Sequence, residues 1–237
     1  MASIGTPSVA TREDAAAIAT LFAQSWTSPF TQLQLGYVDT SPLIAGLEPR
    51  IARQIDRPGA MFLVIRDLYT REVVSVAQWT LPATENDVVT NETREEMEER
   101  QRFDDEAYRA RLPDSSNKDL ILEFTVGLRE MKLRLLRGRK HYYLDNLATH
   151  PDYRGKGLAS RLIEWVTMRA DQEGMLVYLD TADDNPAIRL YKRLGFEMKD
   201  QSTIESFRPL VRERDLEMYG GDGTHVHVAF VRQPAQV

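Results

Sequence analysis

The chain has 237 residues, 42% apolar and 28% charged, enough to enclose a hydrophobic core and too apolar for a mostly disordered chain. Lys and Arg total 30 against 36 Asp and Glu, and the resulting formal charge of -6 repels phosphate backbones, so nucleic acid is not an expected partner. Cysteine is absent, which excludes disulfides, thiolate metal sites and a cysteine nucleophile.

Only His141, His150, His225 and His227 remain as imidazole ligands, and no metal is expected. The longest apolar run, 15–23, is too short to span a bilayer, and the first residues lack the basic-then-apolar pattern of a secretory leader. A cytoplasmic protein without a membrane partner is expected.

A short apolar stretch at 8–10 reads as a strand. Thr11 and Asp14 have capping-box spacing, and Ala15, Ile18, Leu21 and Phe22 continue a helix to about Trp26. Pro29, Gly36 and Pro42 mark a loop, and a weaker helix runs from Leu43 to Ile55 before Pro58-Gly59. Met61–Ile65 and Val73–Trp79, rich in Val, Ile and aromatics, form an antiparallel hairpin with Arg71-Glu72 in its turn.

Residues 84–117 read as a charged, partly helical insertion. Between Glu92 and Arg109 lie eight acidic and four basic residues with almost no apolar stripe, so a solvated segment is the simplest reading and an acidic lip for a cationic substrate the sharper one. Leu120, Phe124, Leu128, Met131 and Leu135 then mark a long amphipathic helix from about Asn117. Its basic end complements the helix dipole, and Gly138 is its stop.

From here the pattern is strand (Tyr142–Thr149), glycine loop (His150–Gly157), helix (Leu158 to about Glu173), strand (Met175–Leu179) and helix. The last opens with Asn185 as N-cap and Pro186 as first residue, and closes at Gly195. A strand at Phe196–Lys199 and an alternating strand through Val226, Val228 and Phe230 end the chain. One α/β domain over residues 1–237, with a mixed sheet, accounts for the whole pattern.

The loop Arg154-Gly155-Lys156-Gly157-Leu158-Ala159 carries the chemistry. Glycines allow close approach of backbone to an anion, and the amides of a helix start carry partial positive charge, so the loop is a phosphate cradle. A nucleoside-triphosphate loop is excluded, because Gly157 follows Lys156 where a hydroxyl residue is needed and His150 holds the place of the earlier glycine. A dinucleotide fingerprint fits Gly155, Gly157 and Asp180 at the end of the next strand, but Ser160 stands at the third glycine.

The third option fits best. Arg154-x-x-Gly157-x-Ala159, after Leu144-Asp-Asn-Leu-Ala-Thr-His-Pro151 and before Asn185-Pro-Ala-Ile-Arg-Leu-Tyr-Lys-Arg-Leu-Gly-Phe196, resembles the acyl-CoA-binding core of the GNAT N-acetyltransferase superfamily over about 142–198. The Leu-Ala-Thr-His-Pro form and the long preceding helix look most like fungal members. The resemblance implies a mixed, mostly antiparallel, twisted sheet with a splayed central strand pair, flanked by helices. It implies acetyl-CoA as co-substrate, with pantetheine pairing along Leu147, Ala148 and Thr149, and pyrophosphate on the amides of Arg154, Gly155, Lys156, Gly157, Leu158 and Ala159. Asn185 would contact the pantetheine arm.

In the same terms Tyr191 holds the position of the general acid, and the Leu147 N–H serves the oxyanion. The attacking amine must lose a proton, since an alkyl ammonium near pKa ~10 is not a nucleophile. Asp145 is the chosen base. Glu123, His141, His225, His227 and a water chain remain alternatives. With no cysteine, attack in a ternary complex is expected. The acceptor expected is a small-molecule amine, with the acidic insertion favouring a cationic one over a peptide or lysine side chain. A nicotinamide-dinucleotide oxidoreductase and a non-catalytic acyl-CoA-binding module are the competing functions. Oligomeric state is unreadable.

Overall fold

The computed structural model describes residues 4–36, 40–83, 94–219 and 223–235. Among the described residues seven strands run β1 (Ser8–Val9), β2 (Ala60–Arg66), β3 (Val73–Thr80), β4 (His141–Thr149), β5 (Leu176–Ala182), β6 (Glu197–Ile204) and β7 (His225–Arg232). They form a single sheet in the order β1-β2-β3-β4-β5-β7-β6. Among the described strands only β4 and β5 pair in parallel; the other neighbours are antiparallel. A doubly wound dinucleotide fold needs an extended parallel sheet, so that alternative falls.

The helices are α1 (Ala15–Ser25), α2 (Pro29–Leu35), α3 (Thr40–Ile55), α4 (Arg94–Arg111), α5 (Lys118–Leu136), α6 (Leu158–Gln172), α7 (Ile188–Arg193) and α8 (Glu213–Tyr219). Strand alternation divides the core in two. Leu63, Trp79, Tyr142, Leu144, Val177, Leu179 and Phe230 pack on one face with Leu162, Ile163 and Val166 of α6 and Tyr191 of α7. On the other face, Phe62, Val64 and Val76 meet α1 and α3, while Tyr178, Ala229 and Val231 meet Met131 and Leu136 of α5.

The residues expected as a loop after Trp26 instead build α2. Ser28 caps it by accepting from the Thr31 N–H, Pro29 is its first residue, and Gly36 ends it at φ 75°. Proline and glycine here are helix start and stop signals rather than loop markers. The following helix also begins earlier than expected, at Thr40. Asn117 caps α5 through the Leu120 N–H, and the left-handed cap is Arg137 at φ 50°, one residue before the expected stop at Gly138. Of the acidic insertion, α4 lies within the described residues; the expectation for 84–93 falls outside them.

Pairing of β4 with β5 covers His141–Leu144 against Leu176–Leu179 and ends there. Beyond Leu144, β4 stays on β3 while β5 from Asp180 to Ala182 stays on β7. The two central strands therefore part, and a wedge opens between Asp145–Thr149 and Asp180–Ala182.

Candidate active site

The wedge has two polar walls. His150 donates its backbone N–H to Val74 O at 2.9 Å. Alternation of antiparallel bonds then turns Ala148 and Asn146 toward β3, and leaves the N–H and C=O of Leu147 and Thr149 aimed into the gap. Of the three residues expected to pair with pantetheine, Leu147 and Thr149 face the wedge, whereas the Ala148 carbonyl accepts from Ser75 Oγ at 3.1 Å. The Thr149 carbonyl also receives Arg154 Nε at 3.2 Å, which ties strand to loop.

Asp145 sits at a one-residue bulge, because Asn146 pairs with Gln78 but Leu144 pairs with Trp79. Its Oδ2 accepts from Thr80 Oγ1 at 2.8 Å. Burial pushes its carboxyl up to about 6, against the lowering effect of the Thr80 hydrogen bond and of Lys132 and with a further raising effect of the Asp180 charge. Such a group changes protonation state near neutral pH.

Asp180 is the first residue of β5 past the last pair, as Asp145 is on β4. Tyr143 donates its hydroxyl to Asp180 Oδ2 at 3.1 Å, and His227 Nε2 lies 3.7 Å from Oδ1. His227 Nδ1 in turn meets His225 Nε2 at 3.0 Å. Burial raises the Asp180 carboxyl and lowers both imidazoles, to about 3 for His227 and about 4 for His225. Both histidines are thus neutral at neutral pH. Phe30 stacks on His225 and Phe124 meets His227 edge-on.

The other base alternatives lie elsewhere. His141 sits at the closed end of the β4–β5 pair, opposite Leu176, with Nδ1 on the Arg139 carbonyl. Glu123 is exposed on α5. His150 accepts the Asp152 N–H and belongs to the turn Pro151–Tyr153.

Where β4 ends, the loop runs into α6. Gly155 and Gly157 take φ 73° and 75°, and a Cβ built on either meets nothing within 4 Å. Space in front of the loop is open. Among the described residues, no protein acceptor takes the amides of Gly155, Lys156, Gly157, Leu158 or Ala159. Tyr153 anchors the loop by donating to Asp67 Oδ2 at 2.9 Å, and Lys156 Nζ lies 4.6 Å over the Tyr153 ring.

Tyr191 is 6% exposed and packs near Phe196 and Phe230. Burial, followed by the Asp180 charge, pushes its phenol up to about 12. Asn185 holds the β5–α7 turn: its Oδ1 accepts the Ala187 N–H at 2.9 Å and its Nδ2 donates to Thr181 Oγ1 at 2.7 Å. Asn185 is not the helix N-cap that the sequence suggested: the helix starts at Ile188 with Ala187 as its cap, and the Asn185 bond to the Ala187 N–H closes the turn ahead of it.

Sequence reading placed Asp180 only in a dinucleotide role and left Tyr143, Tyr178 and Lys132 without one. Their signal was the matching pair of alternations, Tyr143/Asp145 and Tyr178/Asp180, each putting an aromatic and a carboxylate on one face of adjacent strands. Among the described residues no group of three or more His, Asp or Glu side chains is arranged to hold a metal ion.

The described features fit an elongated ligand with an amide-bearing arm ending in a diphosphate. A strand edge offers Leu147 and Thr149, and it leads into free amides at a helix start. Comparison with known proteins agrees. The GNAT acetyltransferase family model matches residues 73–196, just over half the chain. No curated protein matches by sequence. Among solved structures, an agmatine N-acetyltransferase mutant aligns with TM-score 0.61 at 16% identity, covering 97% of this chain and 100% of its own. A Drosophila melanogaster polyamine N-acetyltransferase gives 0.60 at 17%, with 98% and 100% covered. A Corynebacterium glutamicum structure described as histone acetyltransferase HPA2 and related acetyltransferase gives 0.55 at 21%, with 100% and 99% covered. At these identities the likeness concerns the fold.

Proposed function

The chain belongs to the GNAT acetyltransferase family, and from that premise we propose that it transfers acetyl from acetyl-CoA directly to a small primary amine, in a ternary complex and in the cytoplasm. The observation that carries this reading is the wedge: a strand edge freed at Asp145 and continuous with an open, amide-lined loop at Gly155–Ala159. Acetyl-CoA would supply an acetyl thioester already activated for attack. Leu147 and Thr149 would hold its arm, and the loop amides with Arg154 and Lys156 its diphosphate.

Within this frame Asp145 removes the amine proton, and a carboxyl near 6 is well matched to that task at neutral pH. The Leu147 N–H, aimed into the gap, donates to the carbonyl oxygen as negative charge develops there. Tyr191 stands on the α6 face. Transfer from a phenol near 12 to a thiolate whose acid lies near ~8.5 is uphill by about 5 kcal/mol, so Tyr191 acts as a hydrogen-bond donor to the leaving sulfur rather than by full proton loss.

Small acceptors are favoured over protein ones by the arch above the histidines. Phe30 and Leu33 of α2 pack with Phe207 and with Leu216 of α8, and Asn117 bridges to Leu210 O at 2.6 Å. The solved structures described as agmatine and polyamine N-acetyltransferases, which share this fold, support the same acceptor class. The test is thiol release from acetyl-CoA with agmatine, spermidine, a lysine peptide and a free N-terminal peptide. Turnover confined to the small amines supports the proposal. Peptide acetylation as the fastest reaction overturns the acceptor class, binding of acetyl-CoA without turnover identifies a binding module, and failure to bind it ends the reading.

A further inference from the structure

Two carboxylates open the wedge, one on each arm, and the acetyl-transfer reading uses only Asp145. Asp180 has no such role, yet it is the more completely surrounded. Its side chain is 8% exposed, with Tyr143 O–H on Oδ2 and His227 Nε2 facing Oδ1. Both nitrogens of His227 face protein groups, Nε2 toward Asp180 and Nδ1 toward His225. His227 therefore has no free nitrogen for a substrate and acts through Asp180.

The groups facing this carboxyl come from several elements. They are Tyr143 of β4, Tyr178 of β5, His227 of β7 and Lys132 of α5, with the charges of Asp145 and Tyr191 close enough to couple to it. Lys132 acts on both carboxylates, and its ammonium lies 4.8 Å over the Tyr143 ring. Burial works against ionisation of both carboxyls while Lys132 favours it, so a cation placed between them would be held by both. The buried Tyr178 hydroxyl also stands beside Asp180 and acts on its carboxyl.

We propose that Asp180 is the acceptor-binding carboxylate: the amine docks as its ammonium between Asp180 and Asp145, with Tyr143 and the His227–His225 pair orienting Asp180. This deepens the acetyl-transfer reading and rests on it. One N–H bond of the ammonium breaks and one O–H bond forms on Asp145; the nitrogen becomes neutral and nucleophilic, and Asp180 keeps its charge throughout. Phe124, partly buried against His227, supplies apolar surface for an alkyl chain. The acceptor class is thus an unhindered alkyl ammonium; an aromatic amine, already neutral at pH 7, gains nothing from the pair.

The experiment compares wild type with Asp180→Asn and Tyr143→Phe, using acetyl-CoA and agmatine, or the fastest amine of the panel above if agmatine is not turned over. Asp180→Asn is expected to lower kcat/KM for the amine about 100-fold, mainly through KM, while KM for acetyl-CoA stays within twofold. Tyr143→Phe, which keeps the ring and removes the donor to Oδ2, is expected to cost five- to tenfold in the same constant and carries the test if Asp180→Asn does not fold. Amine kcat/KM within twofold of wild type, or equal losses for amine and acetyl-CoA, overturns the role of Asp180. A wild-type enzyme that releases thiol with none of the amines overturns the underlying reading instead.

Discussion

The Thr80 hydroxyl donates to Asp145 Oδ2 at 2.8 Å from the strand on the far side of β4, so the carboxylate is steadied from β3 while its own strand opens toward β5. The raised carboxyl of Asp145 has consequences for activity and for stability that run in opposite directions.

For activity, Asp145 in its proposed role as base would work only when ionised. Amine acetylation is expected to fall as pH drops through about 6, tenfold per pH unit below it. Asp145→Asn should lower kcat by 10²–10⁴ and remove that acid limb. A variant that keeps both the rate and the limb assigns the proton to another group.

For stability, the folded carboxyl lies above its unfolded value of 3.8, so the unfolded state binds fewer protons between 3.8 and 6 and the ionised side chain costs stability above that window. Asp145→Asn should therefore stabilise the fold at pH 7 by roughly 1–3 kcal/mol, with the gain vanishing near pH 4. Urea unfolding at the two pH values measures it.

Tyr191→Phe removes a hydroxyl from a ring packed near Phe196 and Phe230 and leaves that packing in place. A tenfold to hundredfold loss in kcat with unchanged acetyl-CoA affinity is expected from loss of a donor aimed at developing charge. Calorimetry and turnover together check it; parallel losses of both would make Tyr191 a packing residue.

Gly157 takes φ 75° with open space before it. Gly157→Ala meets no atom but places an L side chain in the left-handed region, at a cost of about 1–2 kcal/mol in stability. Gly157→Asp adds negative charge where the free amides point and should weaken CoA binding at least 100-fold in Kd by titration calorimetry. Unchanged affinity would move the diphosphate site elsewhere.

Outside the site, Arg232 grips Asp171 with both amino groups, at 2.6 and 2.8 Å, and Asp171 Oδ1 also accepts the Ala235 N–H. The Arg232 hydrogen bond is the main cause holding the Asp171 carboxyl below its usual value, so its contribution is present above pH 4 and lost as pH falls through the lowered value. Asp171→Asn should destabilise by about 1–3 kcal/mol at pH 7 and by less at pH 3, read from thermal unfolding.

The backbone of the loop proposed to cradle the diphosphate was legible because it is local. Two glycines at positive φ, a strand before them and a helix after them are dictated by residues within a few positions, and the direction of the amides follows from that backbone alone. The same holds for the capped start of α5 at Asn117 and for the hairpin of β2 and β3. The error at α2 was also local: Pro29 and Gly36 suggested a loop, although with Ser28 they carry the capping chemistry of a short helix.

By itself, then, the order of residues determined a strand, a glycine turn and a helix able to hold a diphosphate, since backbone direction there depends on neighbouring dihedrals. Only the tertiary structure decided that Asp145 lies at a bulge and that Asp180, 35 positions later, stands across from it. It also decided that Tyr143, His227 and His225 back Asp180, and that Phe30 stacks on His225. Register, strand order and the burial that moves a carboxyl toward neutrality arise from contacts between segments far apart in the chain, and no local pattern encodes them.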